Sequence, residues 1–284
     1  MPAGPSCDIA GGRIRTWSLE IHAVDHCNLR CASCCTLSPR LGRRATPAPE
    51  LARDLAAARA ALAPHVVKLT GGEPLLHPGI CELVATVRAS GLGEQVGITT
   101  NGFAVDRVSH ELFALLDRLT LSLYPSAPLP APKRRAIEEA CARHGVLVTV
   151  KECGSFQQMA PSRPHDDAAT ARIHADCWLR VRCHLLHRGR FYACTRPPHL
   201  EDAGHVPRGT ADQDGVELEG PDLAARLKAY LEREDPLASC RACLGAAGPW
   251  EPHRQEPRVT PRGRAPRRDA GSGASPSSGA ARAR

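Results

Sequence analysis

Three cysteines, Cys27, Cys31 and Cys34, stand in a C-x3-C-x2-C spacing directly after an extended, partly alternating run over residues 17–24. That run reads as a strand, so the three thiols are gathered on the loop that leaves it. Three thiolates on one short loop can each take one iron of a 4Fe–4S cluster and leave the fourth iron open. An open metal position is what a substrate or cofactor needs in order to coordinate. A zinc knuckle is the competing reading of the same motif. It wants a fourth protein ligand, for which His22 and His26 are the local candidates.

The chain holds 13 cysteines in all. Residues 1–16 lack an apolar h-region behind a basic start. No apolar run reaches the roughly 18 residues of a membrane-spanning helix. The expectation is a cytoplasmic protein without membrane contact, whose thiols stay reduced. Its cysteines then point to metal or iron–sulfur ligation rather than to disulfides. The net charge of +7 is a poor argument for nucleic acid. Residues 251–284 carry eight arginines and three acids, so most of the excess sits in a Pro/Gly/Ser-rich tail that reads as disordered. No nucleic-acid partner is expected.

Downstream of the cysteine loop, helix and strand signals alternate. Residues 51–62 read as a helix closed by Pro64, and 66–70 as a strand. A helix over 80–90 ends at Gly91, and a strand over 95–100 runs into the turn pair Asn101-Gly102. A helix over 109–116, a strand over 119–124, a helix over 133–144 closed by Gly145, and a strand over 146–152 complete the series. Five strands alternating with helices indicate an α/β fold with parallel βα units. After Cys153 the pattern breaks. Residues 185–186 and 191–193 flank His187-Arg188-Gly189, which has the form of a hairpin turn. A short helix is expected near 167–174, within a polar stretch, and an amphipathic helix over 223–232.

A second motif sits behind the second strand: Gly71-Gly72-Glu73-Pro74. Glycines there permit close backbone approach to a ligand, and the Glu73 carboxylate can pair with an ammonium group. With C-x3-C-x2-C on the loop after the first strand and GGEP after the second, the chain resembles the radical S-adenosylmethionine (SAM) enzyme superfamily over residues 17–155. The resemblance implies a partial (β/α)6 TIM-like barrel. It also implies a 4Fe–4S cluster on Cys27, Cys31 and Cys34, and a SAM site drawing on Gly71, Gly72, Glu73, Pro74, Thr100, Asn101 and Ser122. One departure stands out: many members have an aromatic before the third cysteine, where this chain has Ser33.

The later cysteines resemble the twitch form of the SPASM extension. Cys177 and Cys194 bracket the hairpin around Gly189, and Cys240-Arg-Ala-Cys243 supplies a C-x2-C. By that resemblance Cys177, Cys194, Cys240 and Cys243 hold an auxiliary 4Fe–4S cluster, with Cys183 competing for the place of Cys177. A four-cysteine zinc site is the alternative. The expected division is an N-terminal arm over 1–16, a radical SAM core over 17–170, a small cysteine-rich twitch-like domain over 171–250 and a tail over 251–284.

The resemblance implies reductive cleavage of SAM to a 5′-deoxyadenosyl radical, hydrogen abstraction from a substrate, and passage of an electron to the auxiliary cluster. An external donor such as flavodoxin or ferredoxin would supply the reducing electron. Only 26 residues precede Cys27, too few for a peptide-recognition domain. The expected substrate is therefore a small molecule of sugar or cyclitol type. A peptide presented by a separate recognition partner is the second possibility, and a zinc- or nucleic-acid-binding non-enzyme the third.

Overall fold

The computed structural model describes residues 9–161 and 163–257. Cys7, half of the expected arm, and the tail from 258 onward lie outside them.

One sheet organises the chain. Its central strands are β2 (Arg13–Val24), β3 (Leu62–Gly71), β4 (Gln95–Thr100), β5 (Arg118–Leu123) and β6 (Leu147–Glu152). They run parallel in that order. A short β1 (Ile9–Ala10) folds back antiparallel on β2. Four helices fill the crossovers: α1 (Ala48–Ala58), α2 (Ile80–Ser90), α3 (Glu111–Ala114) and α4 (Ala131–His144). Gly91 and Gly145 end α2 and α4 in the left-handed region, φ 58° and 67°.

Alternation along the strands sorts the two faces. Leu19, Ile21 and Ala23 of β2, Val67 and Leu69 of β3, Val96 and Ile98 of β4, and Leu119 and Leu121 of β5 all join one buried apolar core with the helices. The alternate positions are polar: Ser18, Glu20 and His22 on β2, Lys68 and Thr70 on β3, Thr120 and Ser122 on β5. Glu20 and Lys68 are directly opposite in the register and ion-paired at 2.7 Å. The polar side chains thus collect on the face opposite that core.

The remaining strands carry the second half of the chain: β7 (Ser155–Gln157), β8 (His184–His187), β9 (Arg190–Tyr192), β10 (Val216–Glu217) and β11 (Trp250–Pro252). The expected hairpin is present between β8 and β9, with Arg188 at φ 51° and Gly189 at φ 74°. Two successive positive φ values make it the primed turn that suits strand twist. The full order is β10-β9-β8-β2-β3-β4-β5-β6. The α/β architecture with a parallel sheet is as expected, but the sixth parallel strand, β8, joins beside the first strand rather than beyond β6. Around β8 to β10 lie α5 (Asp167–Asp176), α6 (Arg196–Asp202), α7 (Thr210–Asp214) and α8 (Leu223–Leu231).

Several boundaries differ from the sequence reading: α1 runs over Ala48–Ala58 rather than 51–62, α3 over Glu111–Ala114 rather than 109–116, and α4 starts at Ala131 rather than 133. β2 begins at Arg13, inside the expected arm, because Ile14 pairs with Leu62 and is fully buried. Pro64 lies within β3 instead of closing a helix, since 62–71 is drawn into the sheet beside β2. Residues 251–257, assigned to the tail, are folded, with β11 pairing antiparallel to β7. Among the described residues no helix is long and apolar enough to cross a membrane.

Candidate functional site

The cysteine loop leaves β2 at Val24. Cys31 is buried, and Cys27 and Cys34 are partly exposed. Thr36 Oγ1 lies 3.3 Å from Cys34 Sγ and donates to the Gly71 carbonyl at 3.3 Å, tying the loop to the end of β3. Burial pushes the Cys27 thiol up to about 12 and the Cys31 thiol up to about 11, each raised further by the neighbouring cysteines. Metal binding must displace those protons, so affinity at these sulfurs rises with pH.

Gly71 and Gly72 are demanded by the same junction. Gly71 has φ 116°, and a Cβ on it would lie 2.3 Å from the Val24 carbonyl oxygen. A Cβ on Gly72 would lie 1.9 Å from the His26 carbonyl oxygen. Backbone bonds from Gly72 N to Val24 O (2.8 Å) and from Glu73 N to His26 O (3.0 Å) close the contact. The close approach expected for a ligand is here an approach of the chain to its own cysteine loop. Gly72→Ala should therefore cost about 2–3 kcal/mol of unfolding free energy, read from the urea midpoint. Gly154→Ala, with nothing within 4 Å of the added methyl, is the neutral control.

Pro74 opens a short turn of 3-10 helix over Pro74–Leu76, and Glu73 caps it. The Glu73 side chain is 1% exposed. Its Oε1 accepts from Leu75 N at 3.0 Å and from Thr100 Oγ1 at 2.5 Å, and its Oε2 accepts from Asn101 N at 2.7 Å. Burial raises its carboxyl to about 7, and the three donors hold it from going higher. Among the described residues no cationic side chain pairs with this carboxylate, so a cationic ligand group has an unclaimed partner here. Asn101 Nδ2 donates to Asn28 Oδ1 at 2.8 Å and reaches Cys27 Sγ at 3.6 Å. Glu73, Thr100, Asn101 and Cys27 are thus one hydrogen-bonded group.

Ser122 sits on β5, one residue past Leu121, the register partner of Thr100 on β4. Its side chain is buried near the end of β5, in register with Lys151 of β6. Tyr124 belongs to an aromatic cluster with Phe156 and His253, whose ring centroids are 4.8–5.9 Å apart. Sequence reasoning missed this cluster, because its members come from three separate segments.

It also missed the segment after β11. Gln255 Oε1 accepts from Arg30 N at 2.6 Å, and Gln255 Nε2 donates to Cys31 Sγ at 3.3 Å. Ala32 N donates to Arg254 O at 2.9 Å and Glu256 N to Arg30 O at 2.7 Å. Residues 254–256 are therefore strapped along the cysteine loop. The Pro- and Arg-rich composition around them gave no signal of it.

A second group of sulfurs lies apart from the first. Cys177, Cys194, Cys240 and Cys243 line one cavity, together with His174, Arg180 and Arg196. They arrive from the end of α5, the end of β9 and a short 3-10 turn over Ala238–Ala242. Cys183 is not among the lining residues; the charges felt by its thiol are chiefly those of Glu20 and Lys68. Burial pushes the Cys240 thiol up to about 12 and raises Cys177 and Cys194 as well. Four thiols around one cavity match the donor set of a 4Fe–4S cluster and equally of a four-cysteine zinc ion.

The Radical SAM superfamily model matches residues 21–145, the stretch that holds both the cysteine trio and the GGEP segment. The GTP 3′,8-cyclase of Streptomyces coelicolor is 37% identical over 119 residues, covering 39% of this chain and 34% of that protein. The GTP 3′,8-cyclase of Rippkaea orientalis is 36% identical over 110 residues, covering 37% and 33%. The chain spans about a third of the length of these curated relatives. Among solved structures, Streptococcus suis SuiB bound to S-adenosylmethionine has a TM-score of 0.40 at 22% identity, over 48% of this chain and 33% of that one. BtrN in complex with AdoMet and 2-DOIA has a TM-score of 0.47 at 14% identity, over 80% and 92%.

Proposed function

Starting from a radical SAM domain over residues 21–145, we propose that this chain is a radical SAM enzyme which oxidises a small hydroxyl-bearing molecule by two electrons. When bound, a 4Fe–4S cluster and SAM supply a 5′-deoxyadenosyl radical that takes a hydrogen atom from the substrate. The observation that carries the finer part of the reading is the second cavity, with its four cysteines separate from the first three.

Each residue has a part derived from its position. Cys27, Cys31 and Cys34 provide three thiolates and leave a fourth metal corner free. Glu73, held by Thr100 and Asn101, receives the ammonium of SAM. The polar face around Glu20, Lys68 and Thr120 suits a polar substrate rather than an apolar one. The oxidation balances as one hydrogen atom lost to the radical, one electron passed to an auxiliary cluster on Cys177, Cys194, Cys240 and Cys243, and one proton released to a base. An external flavodoxin- or ferredoxin-type protein provides the priming electron.

The test is anaerobic reconstitution with iron and sulfide. The protein should turn brown, hold about eight irons per chain, and convert SAM to methionine and 5′-deoxyadenosine with a strong reductant. About four irons and full cleavage would leave the radical chemistry but remove the auxiliary cluster. A colourless protein with zinc in both cysteine sites would end the reading. The identity to the cyclases supports a second reading, cyclisation of a purine nucleotide. It requires GTP to bind the reconstituted protein and to be consumed in step with SAM.

Gln255 should tune the first cluster. A donor to a ligating sulfur stabilises the more negative, reduced state. Replacing Gln255 with Leu should lower the cluster midpoint potential by roughly 40 mV, the equivalent of one hydrogen bond worth about 1 kcal/mol. An EPR-monitored redox titration measures it. An unchanged potential means that the bond from Gln255 to Cys31 is not made in the loaded protein.

A further inference from the structure

Four buried side chains have no part in the chemistry above. His22 on β2 is 1% exposed, Asp25 just beyond its end 5%, His199 on α6 0% and His187 at the end of β8 4%. One ligand atom from each of His22, Asp25 and His199 lies within 4.8 Å of the others. His22 Nδ1 and His199 Nε2 face each other at 2.6 Å, with the rings parallel to within 3°. His187 packs edge-on against both, centroids 6.4 and 5.6 Å away. Among the described residues its Nε2 has no partner, and neither has Nδ1 of His199. Native interiors rarely seal polar nitrogens away unpaired, so this cluster calls for a bound group.

The donor set identifies the group. Burial holds all three imidazoles in the neutral form, which is the form that binds metals. Two imidazoles and a carboxylate, closed off from water, suit a divalent d-block ion. The surroundings also fit. Thr195 Oγ1 lies 3.3 Å from His22 Nε2, so the ring nitrogen turned away from His199 has an acceptor, as metal-bound histidines usually do. Arg188 Nη2 is 3.6 Å from Asp25 Oδ2 and 2.8 Å from Asp202 Oδ2, which orients the carboxylate.

We propose that His22, Asp25 and His199 form a structural zinc site, with His187 offering the fourth ligand. The two facing nitrogens separate on binding, since imidazoles on tetrahedral zinc at about 2.0–2.1 Å bond lengths stand roughly 3.3 Å apart. The ion fastens the C-terminal half to the core. His199 follows Cys194 by five residues, and Asp25 precedes Cys27 by two. The site is independent of the iron–sulfur reading and would stand if that reading failed.

The test uses the full chain, expressed with zinc chloride in the medium and reconstituted with iron. Metal analysis should give about one zinc per chain, and zinc-edge X-ray absorption a shell of nitrogen and oxygen at about 2.0–2.1 Å. Asp25→Asn and His199→Gln should each lower zinc content at least tenfold while leaving the iron content unchanged. The proposal is overturned by zinc well below one per chain, by a sulfur shell near 2.3 Å, or by full zinc retention in both variants. Should a variant fail to fold, the wild-type absorption spectrum decides alone. Iron stoichiometry, measured on the same sample, reports separately on the clusters.

Discussion

Cys31→Ala protein, reconstituted beside the wild type, should hold about four irons instead of about eight and release no 5′-deoxyadenosine from SAM. Cys31 is the central member of the C-x3-C-x2-C trio and is 8% exposed. Its sulfur accepts the bond from Gln255, and its backbone bridges to the same residue. Removing it would leave two of the three thiolates that would hold the proposed cluster. The expected fall in SAM cleavage exceeds a thousandfold, about 4 kcal/mol in barrier terms. Chromatographic detection of 5′-deoxyadenosine after dithionite reduction is the measurement. Cys81→Ala, a change on α2, is the matched control. Cleavage by Cys31→Ala at a tenth of the wild-type rate would sink the assignment of this loop.

The second large effect belongs to Cys243. This residue is 7% exposed, lines the second cavity, and its sulfur accepts a bond from Gly245 N at 3.3 Å. Cys243→Ala should also drop to about four irons, yet retain SAM cleavage, because the first trio is untouched. Substrate oxidation should disappear, since the electron left on the substrate has no acceptor. The two variants are thus predicted to lose equal iron, but only Cys243→Ala keeps the cleavage of SAM. If Cys243→Ala oxidised substrate normally, the electron-acceptor role of the second cavity would be wrong.

Much of the core was legible because it is written in local periodicity. The helix Ile80–Ser90 and the strand Gln95–Thr100 end where Gly91 and Asn101 punctuate them, and both appear with the bounds read from the sequence. The hairpin at Arg188-Gly189 was legible for the same reason. The stretch beginning at Leu62 was not: its apolar residues fit a helix as well as a strand, and pairing with Ile14 decides the matter. Of the GGEP segment, the acid was readable as a candidate ligand group. The reason for its glycines was not, because the carbonyls of Val24 and His26 that exclude a Cβ are supplied by another part of the chain.

The chain itself, read as letters, settles which residues carry sulfur, how closely they follow one another, and which segments alternate between strand and helix. Those are short-range properties, governed by backbone preference and by the spacing of apolar positions. Folding alone settles three further things. It lays β8 beside β2, returns Gln255 to Cys31 across 224 residues, and brings His199 against His22 across 177. Such contacts leave no periodic trace, because each depends on how separate segments share one buried interior rather than on what stands next to them along the backbone.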